Sequence, residues 1–301
     1  AAAAAAQAED EDRGPEPDLK APDAQAAEGW HPDCAAGPVP ELPVADVAGA
    51  ALVVKVLTYN LYWWNLIDIE KGLGGSPFRL INGSMAPPYD VMGFQECQDP
   101  HYVLQQAGLE GMYQVLLGEM AICMAFRKDA WALLSSGQAN VAEDRQDQYF
   151  GLRAAQWIRL RHKRLGKVLF FMNHHGPTPV NTGGYCAGPS TAVHLMQLIA
   201  SNSQPGDAVV LTGDFNAGSG SGIINLLRQR MEELFCGSVD GGIDHVFSNL
   251  VASSVAKTAN LGKGGSDHDA LQVLVHLSGP GAAARPAAPA VPAAPPAPGL
   301  P

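Results

Sequence analysis

The sequence predicts an α/β fold, and three observations carry that prediction. Short runs rich in Val, Leu and Ile recur through the middle of the chain and stop abruptly in Asn, Asp, Glu or His, as buried strands do on reaching a sheet edge. Strand-like segments joined by turn-like residues from Tyr113 to Asn173 read as an antiparallel meander, which needs a second layer to bury its other face. Helical apolar spacing appears in separate stretches between the strands, most clearly at Val193, Met196, Leu198 and Ile199.

Of the 301 residues, 47% are hydrophobic, ample for a core, but the two ends do not share that composition. Residues 1–44 open with six alanines and carry ten acids against Arg13 and Lys20, so they are expected to be disordered. Residues 281–301 are almost wholly Ala and Pro and are expected to form a semi-extended, disordered tail. The folded domain is therefore placed at 45–280. Most of the net charge of −11 lies in the N-terminal segment, which leaves 16 basic and 20 acidic residues in the domain. A core near neutrality argues against a dedicated duplex binder, which carries a basic stripe. The one dense basic stretch, Arg159, Arg161, His162, Lys163, Arg164 and Lys167, reads as a solvated hairpin turn.

The five cysteines show no CxxC or Cys/His zinc spacing. Cys97 and Cys123 fall beside apolar strands and read as buried thiols, whereas Cys186 is free to bridge to Cys236 or Cys34 in an oxidising compartment. No stretch of 18 or more apolar residues is present, so no membrane span is expected. The chain does not begin with Met, which reads as a fragment or a processed chain; its location stays open, with secretion one option, and a monomer is expected.

Taken in order, Ala51 to Asn60 is a buried strand followed by Tyr62, Trp63 and Trp64, which either line a cleft or fill the core. Gly72 to Pro88 reads as a Gly/Pro-rich loop. Tyr89 to Gln95 is a second strand, ended by Glu96, and a carboxylate there is costly unless it binds something. A short helix follows from Pro100 to Leu109. The meander then comprises Tyr113 to Leu117, Met120 to Arg127, Trp131 to Val141, Ala154 to Arg161 and Lys167 to Asn173. His174 and His175 are adjacent, so in extended chain only one faces a given side. A helix from Ser190 to Ser201 carries His194 as a packing or surface residue. The strand Ala208 to Leu211 ends in Gly213, Asp214 and Asn216, whose side chains leave the same face and suit a hard cation and a phosphate. A short helix covers Gly222 to Arg230. Asp244 lies in the strand Gly242 to Asn249 and needs a partner, which His268 supplies by donating its Nδ1 proton. The last strand is Ala270 to Leu277.

The segments TYNL at Thr58–Leu61, QE at Gln95–Glu96, NHHGP at Asn173–Pro177, GDFN at Gly213–Asn216, IDHVF at Ile243–Phe247 and SDH at Ser266–His268 resemble, in order, the signature segments of the endonuclease/exonuclease/phosphatase superfamily, the deoxyribonuclease I-like fold. The resemblance spans about 45–280. It implies a four-layered α/β sandwich, with two mixed β-sheets packed face to face, helices outside, and one divalent-metal phosphoesterase site at an edge. It further implies that Glu96, Asn60 and Asp267 hold Mg2+ or Mn2+, and that Asp214 activates water while Asn216 orients the phosphate. His268 with Asp244 behind it, and His175, are implied as catalytic imidazolium groups, with Asn173 beside the substrate. Arg153, in GLRAAQW, is either a phosphate contact or a structural ion pair. Hard oxygen ligands select Mg2+ or Mn2+ over zinc.

The implied activity is hydrolysis of a phosphodiester, nuclease-like, by in-line attack of water. A phosphomonoesterase or a lipid or small-molecule phosphodiesterase is the alternative, and a binding module without turnover the third reading. The substrate is thus a phosphoester, with nucleic acid one candidate. Gln98, Asp99 and Pro100 follow Cys97 where secreted deoxyribonucleases of the family carry an Arg, and this weakens the duplex-DNA reading.

Overall fold

The computed structural model describes Cys34, residues 37–45, Gly49 and residues 51–277. The disorder expected at the remaining N-terminal positions and in the Pro/Ala tail lies outside these residues. In chain order the strands are β1 (Val53–Asn60), β2 (Val91–Gln95), β3 (Tyr113–Leu117), β4 (Cys123–Arg127), β5 (Trp131–Glu143), β6 (Leu152–His162), β7 (Val168–His175), β8 (Ala208–Asp214), β9 (Glu232–Cys236), β10 (Asp244–Ser248), β11 (Val255–Asn260) and β12 (Leu271–His276). The α-helices are α1 (Ser76–Gly83), α2 (Pro100–Gln106), α3 (Gly188–Asn202) and α4 (Gly222–Leu227).

The strands form two six-stranded sheets, ordered β11-β12-β1-β2-β4-β3 and β5-β6-β7-β8-β10-β9. Each is mixed, with one parallel pair near its centre: β1 with β2, and β7 with β8. Val54, Val56, Val91, Phe126, Ile158, Phe171, Val210 and Val273 fill the space between the sheets. Two outer cores complete the layers. Phe78, Ile81 and Val103 of α1 and α2 cover the first sheet, and Leu195, Ile199 and Ile224 of α3 and α4 cover the second. The result is the four-layered sandwich that the resemblance implies. Strands buried on both faces explain the near-continuous apolar runs of β1, β2, β7 and β8.

This topology gathers four strand ends at one edge. Parallel pairing sets Asn60 opposite Gln95, and His175 opposite Asp214. Antiparallel β10 enters beside them, with Asp244 opposite Asp214. The segment before β12 arrives next to β1, where Ser266 Oγ donates to the Asn60 carbonyl at 2.8 Å. Beneath this edge the two sheets are tied by polar groups: Gln95 Nε2 donates to Thr58 Oγ1 and Asn173 Oδ1, and Asn173 Nδ2 donates to the Phe94 and Cys123 carbonyls.

Several expectations are corrected. Gly72–Pro88 is not a continuous loop, because α1 forms within it: Pro77 suits the first helical turn, and Phe78 and Ile81 lie three apart on its buried face. The meander is divided between the sheets, with β3 and β4 in the first and β5, β6 and β7 in the second. Cys97 and Cys123 are joined in a disulfide rather than left as thiols, and Cys186 pairs with Cys34, leaving Cys236 free among the described residues. Residues 37–44, placed in the disordered segment from sequence, make contacts with the domain. Val39 and Leu42 pack on the outer core of the second sheet, and the Pro43 carbonyl accepts from Asn249 Nδ2 at 2.7 Å. Proline breaks the apolar period there, so the segment carries no strand or helix signature. Strands β9 and β11, at the sheet edges with polar residues on their exposed side, were not expected from sequence. No described helix is long and apolar enough to cross a membrane.

Candidate active site

The strand-end residues converge on one oxygen, Asp214 Oδ2. Asp214 closes β8, and Gly213 before it is required by packing: a Cβ there would lie 1.9 Å from the His174 carbonyl oxygen. Asn60 Nδ2 donates to Asp214 Oδ2 at 3.0 Å, and the Nε2 atoms of His175 and His268 each stand 3.6 Å from it. The second carboxylate oxygen, Oδ1, accepts the Asn216 N–H at 2.8 Å. Asn216, with φ +47°, turns back so that its Nδ2 donates to the Gly176 carbonyl. Glu96 also has φ +47°. Two non-glycine residues in the left-handed region at adjoining strand ends are conformations that the surrounding structure must impose.

The two histidines have opposite partners. His268 Nδ1 donates to Asp244 Oδ2 at 2.9 Å, the pairing expected from sequence. Its backbone N–H is held by Ser266 Oγ at 3.0 Å. Burial opposes its charge, but Asp214, Asp244 and Asp267 outweigh that and push its pKa up to about 10, so this ring is an imidazolium. His175 is different. Its burial, reinforced by the Arg153 guanidinium, lowers its pKa to about 3. This setting favours the neutral ring at His175, where an imidazolium was expected.

Arg153 is an ion pair first. Its Nε and Nη2 donate to the two oxygens of Asp144 at 2.8 and 2.9 Å, and its Nη1 faces His175 Nδ1 at 3.4 Å. Asp144 is fully buried and also accepts the Thr178 and Phe150 N–H groups. Sequence reasoning missed Asp144. Its signal was available in the need of Arg153 for a partner, had the end of β5 been taken as running beside the start of β6.

Asn173, expected beside the substrate, is fully buried, and its amide is used between the sheets. It positions the strand that carries His175. His174 points to the other side of the sheet, where its Nδ1 meets the Ala154 carbonyl at 3.0 Å and its ring packs edge-on to Phe215. Trp63 is buried against Tyr102, while Tyr62 and Trp64 are half-buried and meet edge to face. His194, as expected, packs from α3, with Nδ1 at the Val141 carbonyl.

Glu96 and Asp267 stand on the other side of Asn60. Asn60 Nδ2 donates to Glu96 Oε1 at 3.1 Å, and its Oδ1 accepts the Tyr62 N–H. Burial raises Glu96 to about pKa 7; the Asn60 hydrogen bond opposes this, and the neighbouring Asp267 and Asp214 charges add to it. Asp267, half exposed at the rim, is also raised, by partial desolvation and by the Asp214 charge, with His268 opposing. Carboxylates that repel one another and together receive few donors fit a hard divalent cation. Among the described residues Asp214, Asp244 and His268 also place ligand atoms within 4.8 Å of one another. The Nδ1–H of His268 is already given to Asp244, so this trio reads better as a hydrogen-bonded relay than as a cage.

Residues 57–268 match the family described as the Endonuclease/Exonuclease/phosphatase family. No curated protein matches the chain. Among solved structures it is similar to a family protein from Bacteroides thetaiotaomicron, at 17% identity and TM-score 0.60, with 76% of this chain and 99% of that one covered. A mannosyl-6-phosphatase of the same organism matches at 16% identity and TM-score 0.55, covering 74% and 99%. D. rerio TDP2 complexed with a single-strand DNA product matches at 15% identity and TM-score 0.52, covering 74% and 98%. At these identities the structural matches show the shared fold alone. With two six-stranded sheets, helices on both outer faces and a family match over most of its length, the chain belongs to the endonuclease/exonuclease/phosphatase family.

Proposed function

We propose that the protein hydrolyses a phosphodiester by direct attack of water, assisted by Mg2+ or Mn2+. The observation that carries this reading is the setting of Asp214 Oδ2, which faces His175, His268 and Asn60 beside the Glu96 carboxylate. Burial pushes Asp214 up, but the His268 imidazolium, the Asn216 N–H and Asn60 together hold it below the ordinary carboxylate range, so it is ionised and available to orient water. Water oxygen bonds to phosphorus while the bond to the leaving oxygen breaks. Asp214 takes the proton from the attacking water, and His268 delivers its proton to the leaving oxygen. Asp244 keeps that imidazolium aligned and is the acceptor of its Nδ1–H. Glu96, with Asp267 beside it, would hold the cation, which when bound offsets charge developing on the phosphoryl oxygens. Asn60, whose Nδ2 reaches both Glu96 and Asp214, keeps the metal side and the water side in register.

A smaller phosphoester is the second reading, and one observation favours it over a long polymer. The basic stretch lies at the end of β6 and in the turn to β7, at the opposite end of β7 from His175, roughly 20 Å away at 3.3 Å per residue. Arg159 there is paired with Asp207. The mannosyl-6-phosphatase is of interest for this reading and TDP2 for the first. The test is turnover of single-stranded DNA, double-stranded DNA, RNA and sugar monophosphates, with Mg2+ against chelator. Metal-dependent cleavage of a nucleic acid supports the phosphodiesterase reading; release of phosphate from the monoesters alone replaces it with the second.

A further inference from the structure

We infer that Arg153, clamped by Asp144, is a positioning residue that fixes His175 in its Nε2–H tautomer, so that this ring meets the substrate as a hydrogen-bond donor and not as an acid. The inference rests on the hydrolase reading for its functional consequence, but its geometry stands on the free protein. A guanidinium carries only donors. Where Arg153 Nη1 faces His175 Nδ1 at 3.4 Å, the ring nitrogen has to present its lone pair, and the ring hydrogen is then on Nε2. That atom is the one directed at Asp214 Oδ2, 3.6 Å away.

The guanidinium is not free to adopt another pose. Nε and Nη2 are both spent on Asp144, and Asp144 is held in turn by the Thr178 and Phe150 N–H groups, one from each loop flanking the site. Only Nη1 remains to face the ring. The charged and titratable groups around His175 are Arg153, Asp214, His174 and His268. At His268 the logic is inverted: there a carboxylate faces Nδ1 and demands a hydrogen on it. Two imidazoles at equal distance from one carboxylate oxygen are thus set to different tasks by the sign of the charge behind them. A neutral imidazole that donated its only N–H proton outright would leave an imidazolate, so the proton for the leaving oxygen comes from His268, and His175 contributes alignment.

The experiment is ring-nitrogen NMR of the full chain labelled with 15N-histidine, at neutral pH without metal or substrate, with His175 assigned by the loss of its signals in His175→Gln. The expected pattern is one unprotonated Nδ1 and one protonated Nε2. A protonated Nδ1, alone or with Nε2, would overturn the inference. The double variant Arg153→Met with Asp144→Asn, which leaves no unpaired buried charge, is expected to show a tautomer mixture at His175. A pure Nε2–H pattern in that variant would show that Arg153 does not set the tautomer. In turnover, the double variant is expected to lose about tenfold in kcat with KM within about twofold, a split that a general loosening of the fold would not give. A protein with the expected spectrum and no phosphoesterase activity would remove the proposed function while leaving the tautomer assignment in place.

Discussion

The Arg153–Asp144 pair makes a quantitative prediction about stability. Arg153 is 8% exposed and Asp144 is fully buried, so neither charge is well hydrated, and each depends on the other. Removing one partner of such a pair costs about 3–5 kcal/mol, because the survivor is left buried and uncompensated. Arg153→Met strands a carboxylate that keeps only the Thr178 and Phe150 N–H donors. Asp144→Asn leaves the guanidinium without its counter-charge and gives those two donors a weaker acceptor. If the effects were independent, the double variant Arg153→Met with Asp144→Asn would lose the sum. It removes both charges, however, so its loss should be close to that of either single variant, a coupling of about 3 kcal/mol. Urea unfolding of the four proteins at pH 7, with the slopes compared to confirm that the denatured states match, reads this directly. A coupling below about 1 kcal/mol, the value of an exposed pair, would refute the description of Asp144 as the anchor of this site.

Other predictions follow from neighbouring features. Because burial holds Glu96 near pKa 7, a cation bound there competes with a proton; apparent Mg2+ affinity should rise about tenfold per pH unit below 7 and level off above it, checked by calorimetry between pH 5.5 and 8.5. Affinity flat over that range would place the cation elsewhere. His268 gains its charge in the folded state, so any stability it confers should be fully present below the ordinary imidazole pKa and be lost as pH rises through about 10; activity should fall through that same upper limb, and Asp244→Asn should shift the limb downward. Gly213→Ala should destabilise the fold by about 3 kcal/mol or more in thermal melts, since its Cβ would meet the His174 carbonyl. Cys97→Ser with Cys123→Ser should cost about 3.5 kcal/mol, the loop-closure value for a sequence separation of 26, with the urea midpoint as the measure.

The strand ends were legible because burial and polarity conflict there: Asn60, Glu96 and Asp214 each stop an apolar run and Asp244 opens one, and a chain that buries such groups must give them partners. The pairing of His268 with Asp244 followed from the same reasoning. What could not be read was the sign of the environment. His174 and His175 look alike in sequence, and only the register of β6 against β7 and the location of Asp144 show that one ring packs against Phe215 while the other faces a guanidinium. Asn173 shows a related ambiguity, since a polar strand end can serve the joint between two sheets as well as the cleft above it. The cysteines were ambiguous because Cys97 follows β2 while Cys123 opens β4, and the pairing of β2 with β4 that brings them together is non-local. β9 and β11 were missed because an edge strand carries little of the apolar alternation that marks a central one.

The most direct test of the central claim is release of p-nitrophenol from bis(p-nitrophenyl) phosphate by the full chain, with Mg2+ or Mn2+ and with chelator, comparing the native protein with Asp214→Asn. That substitution keeps the size of the side chain and its contacts to Asn216 while removing the charge that the two imidazoles face. The account predicts metal-dependent release that falls by at least about a hundredfold in the variant, in line with the loss of a general base. Release that is unchanged in Asp214→Asn, in a protein with native unfolding behaviour, would contradict the assignment of Asp214 as the centre of the site.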